Sequence, residues 1–100
     1  LSLSSLDPRD FEMTATFDRS HMSGKAAVNG YSAIYVTGRN GSFSVGGIMS
    51  TLIGGSEQAM AAEAAYFELL RHARAYRLSN GGLILYDGNG NESLIFVPAP

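Results

Sequence analysis

One stretch of this chain, from residue 56 to about residue 74, runs free of glycine and proline and is rich in Ala, Glu, Leu and Met, whereas the rest is cut into short pieces by turn residues. That asymmetry constrains the fold more than any other feature. A run of this length and composition favours a helix. Ser56 is placed to cap it by accepting a bond from an orphan backbone N–H, and Glu57 sits where the helix dipole favours a negative charge. At 100° per residue, Ala59, Met60, Tyr66, Phe67 and Leu70 fall on one apolar face, with Ala73 at its edge.

The remaining pieces read as strands. Phe11, Met13, Ala15 and Phe17 alternate with Glu12, Thr14 and Thr16, which predicts a half-buried strand over residues 11–17. A turn at Asp18-Arg19-Ser20 leads into an extended segment over 21–27, where Gly24 marks a bulge or a close backbone approach. Asn29-Gly30 reads as a tight turn because both residues tolerate positive φ. Residues 31–37 form the next strand. After a turn at 38–41, Phe43 and Val45 begin another, which Gly46-Gly47 loosens before Ile48 and Met49. Beyond the helix, residues 76–78, 83–86 and 93–97 are separated by Asn80-Gly81-Gly82 and by a turn-rich run from Asp87 to Asn91, the pattern of a three-stranded meander. Strands before and after a single helix give an α+β fold. The expected architecture is a small antiparallel β roll or incomplete barrel packed around one main helix. A chain of 100 residues is expected to be one domain, 1–100, with residues 1–10 poorly ordered or a partial edge strand.

Charge and composition exclude several functions. Nine acidic and seven basic residues give a net charge of −2, and the basic residues are not gathered into a stripe that would neutralise phosphates, which argues against a nucleic-acid partner. The absence of cysteine removes disulfides, zinc–thiolate sites, iron–sulfur clusters and thiol catalysis. The longest apolar runs, such as residues 83–86, are far shorter than the roughly 20 residues of a transmembrane helix, so no membrane span is expected. The chain begins at Leu1 without Met, and its first six residues lack the pattern of a signal peptide. It therefore reads as a trimmed or processed piece.

Candidate chemistry is sparse. Asp18, Ser20, His21 and Ser23 imitate a compressed Ser/His/Asp set, but a polar hairpin turn rarely supplies the pocket that such a set needs. His72 follows Glu68 by four residues on the polar helix face, the spacing of a surface pair. Asp87, Asn89 and Asn91 resemble the opening of a calcium loop, yet Glu92 occupies the glycine position and Pro98 the closing acidic one. Gly24-Lys25 lacks the spacing of a phosphate loop. Glu63 stands apart, because the helical projection places it among Met60, Phe67 and Leu70. It is expected to accept hydrogen bonds from backbone N–H groups or a basic side chain, fixing the helix to the sheet. On that reading Glu63→Leu costs little if shape is kept. The alternative is a carboxylic acid of raised pKa in a pocket, with no second catalytic group visible beside it. No catalytic residue, cofactor or metal ligand is assigned.

From Phe17 onward the order of elements resembles the META (HslJ-like) domain family. The stretch Gly24-Lys25-Ala26-Ala27-Val28-Asn29-Gly30-Tyr31 is similar to the family's glycine-spaced segment ending in Gly-Cys-Asn and an aromatic. Ser50-Thr51-Leu52-Ile53-Gly54-Gly55 is similar to its Thr-containing segment ending in Cys. The helix with Met60, Glu63, Phe67 and Leu70, then Tyr76 and the hairpin of residues 83–96, resembles its closing half. Val28 and Gly55 stand where the family's two cysteines are expected, which bears against a redox role. The family's opening strand is weak or absent. With Glu63, the resemblance singles out Asn29, Thr51, Val28 and Gly55. If the cysteine pair is close in space, Val28 and Gly55 should be neighbours.

The resemblance implies a small domain without established catalysis, frequently on exported or lipid-anchored bacterial envelope proteins and in some cases linked to stress. The expected function is a non-enzymatic, envelope-associated domain that binds or supports another protein. A first alternative is a small-molecule or lipid carrier, with Met13, Phe17, Tyr35 and Phe43 facing an apolar cavity. A second is a hydrolase using Asp18 and His21.

Overall fold

The computed structural model of the chain describes residues 2–6 and 11–98. Among the described residues, eight strands and one α-helix follow in order: β1 (Ser2–Leu6), β2 (Thr14–Phe17), β3 (His21–Lys25), β4 (Gly30–Thr37), a short 3-10 turn (Arg39–Gly41), β5 (Phe43–Ser50), α1 (Glu57–His72), β6 (Ala75–Ser79), β7 (Gly82–Tyr86) and β8 (Glu92–Pro98). The strands make one antiparallel sheet in the order β5-β4-β3-β2-β1-β8-β7-β6. The sheet curls but does not close. Its two outer strands touch through a bridge between Ser42 and Ala75 and through the Phe43 N–H, which donates to the Arg74 carbonyl at 3.0 Å. This is the α+β roll, or incomplete barrel, that the sequence predicts.

The helix starts where its cap dictates. Ser56 Oγ accepts from the Ala59 N–H at 3.1 Å, and Ala59, Ala62, Glu63, Tyr66, Phe67 and Leu70 form its buried face. Ala62, absent from the predicted face, is fully buried, and Met60 is only half-buried. The helix ends two residues earlier than the sequence suggests, because the Arg74 N–H is claimed by the Tyr86 carbonyl at 2.8 Å and the chain enters β6. Tyr66, Leu70, Phe96, Leu85, Met13 and Met22 are fully enclosed between helix and sheet.

Three local expectations need correction. First, the opening residues are not an edge: β1 lies in the middle of the sheet, pairing with β2 on one side and β8 on the other, and it buries Leu3, Ser4 and Ser5. Residues 7–10 lie outside the described residues. Second, β2 starts at Thr14 rather than Phe11, and the Met13 N–H donates to Ser5 Oγ at 3.1 Å instead of joining a ladder. Third, positive φ does not occur at Asn29-Gly30; it occurs at Asn40-Gly41 and at Asn80-Gly81, the latter forming the two-residue turn between Ser79 and Gly82. Gly24, by contrast, is a close backbone approach as read. A Cβ there would stand 2.1 Å from the Thr14 carbonyl oxygen.

Candidate functional site

The residues singled out by the sequence converge where the β3–β4 connection, the β5–α1 connection and the buried face of α1 meet. The Glu63 side chain reaches from α1 into the β3–β4 turn, and the residue is only 4% exposed. Its Oε1 accepts from the N–H groups of Val28, at 3.0 Å, and Asn29, at 2.8 Å; its Oε2 accepts from Asn29 Nδ2 at 2.7 Å. Burial pushes the carboxyl pKa up, but the bonds from the Asn29 side chain, the Asn29 N–H and the Val28 N–H outweigh it and hold the group below its ordinary value. Such a carboxylate stays ionised at neutral pH and accepts three hydrogen bonds, two at Oε1 and one at Oε2. That removes the reading of Glu63 as a raised-pKa acid.

Asn29 is the hub. Besides Glu63, its Nδ2 donates to the Ile53 carbonyl at 3.1 Å, and its Oδ1 accepts from Thr51 Oγ1 at 2.8 Å and from the Ile53 N–H at 2.7 Å. A primary amide offers two donors and two acceptor sites, and here all four are used. One buried side chain therefore joins the turn before β4, the loop after β5 and the helix. The sequence places Asn29 in a turn but gives no sign that its side chain carries this load, and the part played by Ile53 leaves no side-chain signal, since it acts through its backbone.

Val28 and Gly55 are neighbours. A Cβ built on Gly55 would stand 3.6 Å from Val28 Cβ, so the two positions that the resemblance assigns to cysteines lie side by side. Beneath them, the hydroxyls of Tyr31 and Tyr66 meet at 2.6 Å, and Tyr31 donates to the Thr14 carbonyl at 2.7 Å. Burial raises both phenols: Tyr31 to about 12, against a smaller lowering by its bond with Tyr66, and Tyr66 well above its ordinary value, helped by Tyr31 itself.

The other candidates stay apart. Asp18 accepts from the Arg19 N–H, Ser20 Oγ and His21 Nδ1 lie 3.1 Å apart, and all three residues, Asp18, Ser20 and His21, are exposed on the β2–β3 turn. The three side chains are solvated, and none of them lines the cup that opens at that end of the roll. Asp87 Oδ1 accepts from the N–H groups of Asn89 and Asn91, closing the β7–β8 connection on itself. His72 and Arg71 both lie against Glu68 on the exposed helix face. Among the described residues there is no group of three or more His, Asp or Glu side chains that could hold a metal ion, and no helix is long and apolar enough to cross a membrane. Of the residues proposed to face a cavity, Met13 is buried in the core, while the half-buried Phe17 and Tyr35 and the buried Phe43 line that cup, at the end of the roll opposite the Glu63 network.

The META domain family matches residues 4–100. No curated protein matches the chain. Among solved structures, an NMR structure of a protein from Burkholderia xenovorans is similar, at 22% identity over 98% of this chain and 81% of that one, with a TM-score of 0.72. At that identity the likeness shows a shared fold.

Proposed function

This chain belongs to the META domain family, and from that membership we propose that residues 1–100 are one non-enzymatic domain that binds another protein at the cell envelope, exported or lipid-anchored and active under stress. The network around Glu63 and Asn29 supports a scaffold role for those residues: the Asn29 amide uses all four of its hydrogen-bonding sites, and the Glu63 carboxylate accepts three bonds that tie the helix to the sheet.

The observation that carries the binding role is an apolar outer surface beside that network. On the outer face of β4, Ile34 is 51% and Val36 61% exposed. Opposite them β5 presents Gly46 and Ser44, too small to cover either. Met49, opposite Ser32 on the same face, is 70% exposed, and the loop that follows carries Leu52 at 95% and Ile53 at 62%. The segment from Asn40 to Ser56 contains no charged residue, so nothing in it repels an apolar partner surface. Asn29 fixes this loop through Thr51 and Ile53, presenting Leu52 in a set position.

The test is site-specific photocrosslinking in envelope extract from position 52, compared with position 68 on the exposed helix face. We expect one protein band from position 52, absent at position 68 and lost in the Ile34→Glu/Met49→Glu variant while its melting temperature holds. The same bands from both positions, or turnover of a substrate by the purified chain, would overturn the reading.

A further inference from the structure

At the end of the roll where the β2–β3, β4–β5 and β6–β7 connections lie, the open seam leaves a cup of about 220 Å³. It lies on the inner side of β4, behind the outer face just described, and is independent of it. Four rings form its wall in a continuous row. Phe17 meets Tyr35 edge to face at 5.1 Å, Tyr35 lies nearly parallel to Phe43 at 6.0 Å, and Phe43 leans on Tyr76 at 6.1 Å. Leu83 and Leu78 complete the apolar lining, and Thr37 adds a hydroxyl.

Two features define an occupant. Among the described residues the lining holds no carboxylate, ammonium, guanidinium or imidazole, so a charged ligand would lose its water without gaining a counter-charge from them. A cation would gain cation–π attraction to the rings, but no carboxylate among the described lining residues offsets the rest of its lost hydration. An anion would find only hydroxyls, and that of Tyr35 is already committed to the Asp18 carbonyl. The rings meet one another both edge-on and stacked, geometries that a further neutral aromatic ring can extend, whereas an acyl chain gains burial and dispersion without them. Leu78 is 63% exposed on the cup wall, so a ring seated there would remove apolar surface from water that the fold itself leaves wet.

We propose that this cup binds a small, uncharged aromatic compound of one or two fused rings, with a single N–H or O–H group placed to meet Thr37. Indole is a suitable probe. Titrated into the full chain labelled with 15N and methyl 13C, it should give saturable shifts at Phe17, Tyr35, Phe43 and Leu78, with a Kd of about 1 mM or tighter. Nuclear Overhauser contacts should link the indole ring to the Leu78 methyls. Choline and hexanoate, as cationic and anionic acyl-chain controls, should not saturate. Leu78→Lys, a change at an exposed position, should weaken indole at least tenfold. No saturation up to the solubility of indole, equal binding by either control, or an unchanged Kd in Leu78→Lys would overturn the proposal. So would shifts of the same resonances on diluting the protein alone, since the occupant would then be a second copy. Should Leu78→Lys fail to fold, the Overhauser contacts decide the matter on the unaltered chain: their presence supports the site and their absence rejects it.

Discussion

A Cβ on Gly55 would lie 3.6 Å from the Cβ of Val28 but only 2.6 Å from its Cγ2. The first distance is within the range spanned by bridged cysteines, and the second is a collision. Val28 therefore uses its methyl group to fill the space that Gly55 leaves, and the pair is complementary in size rather than chemically bonded.

The double variant Val28→Cys/Gly55→Cys should form a disulfide on oxidation. It would close a loop of about 27 residues, and the loop-closure relation gives about 3 to 4 kcal/mol of stabilisation. Melting with and without reductant, with mass spectrometry to count thiols, checks this. Gly55→Ala alone should destabilise by about 1 to 3 kcal/mol through overpacking, and Val28→Ala in the same chain should relieve most of that loss.

Glu63→Leu should be costly, contrary to the expectation from sequence. The carboxylate serves three donors, and two of them are backbone N–H groups that no compensating substitution can remove. Stranding these donors should cost about 3 kcal/mol or more. Asn29→Ala should cost about 2 to 3 kcal/mol, since it strands Glu63 Oε2 and releases Thr51 and Ile53. Urea denaturation of each variant reads both values. A loss below about 0.5 kcal/mol for either would mean that water replaces these bonds freely.

Stability should fall at both ends of the pH scale, for different residues. The Glu63 carboxyl is held below its ordinary value, so its contribution is present above the unfolded pKa of about 4.3 and is lost as pH falls through the folded pKa. Tyr31, raised to about 12, and Tyr66, held by burial well above its ordinary value, act in the opposite sense. Their contribution is intact below the unfolded pKa of about 10 and is lost as pH rises through the folded values. Urea midpoints measured from acid to alkaline pH should show a shallower acid limb in Glu63→Gln and a shallower alkaline limb in Tyr31→Phe.

The helix, its cap, its inward carboxylate and the closing meander are legible because each is written in a local pattern: a propensity run, a Ser at its start, an acid on an apolar face, runs of alternation between turns. β1 is not. Its Ser-Leu-Ser-Ser-Leu run has no β-branched residue, and its strand character comes from two partners distant in sequence, with Ser5 serving Met13 through both Oγ and the backbone. Asn29 misleads for a related reason. Asn before Gly is a turn signal through its backbone, whereas here the residue is held by its side chain, and the partners that require an amide come from residues 51–53 and from Glu63. The aromatic cup is only partly legible, since Tyr76 and Leu78 join Phe17, Tyr35 and Phe43 through the curl of the whole sheet rather than through any period in the sequence.

The central position of β1 also bears on how the chain reaches its fold. Strands β2 to β5 can form by successive hairpins, and so can β6 to β8, but the two meanders are joined through β1, whose pairing of Leu3 with Pro98 spans almost the whole chain. Contacts of such separation carry the largest loop-closure cost and slow folding. During synthesis, one side of β1 has no strand to pair with until β8 has been made. Assembly of the sheet is completed at its centre by the last of its strands to emerge, and a chain cut short before β8 would be left open through its middle rather than at its rim.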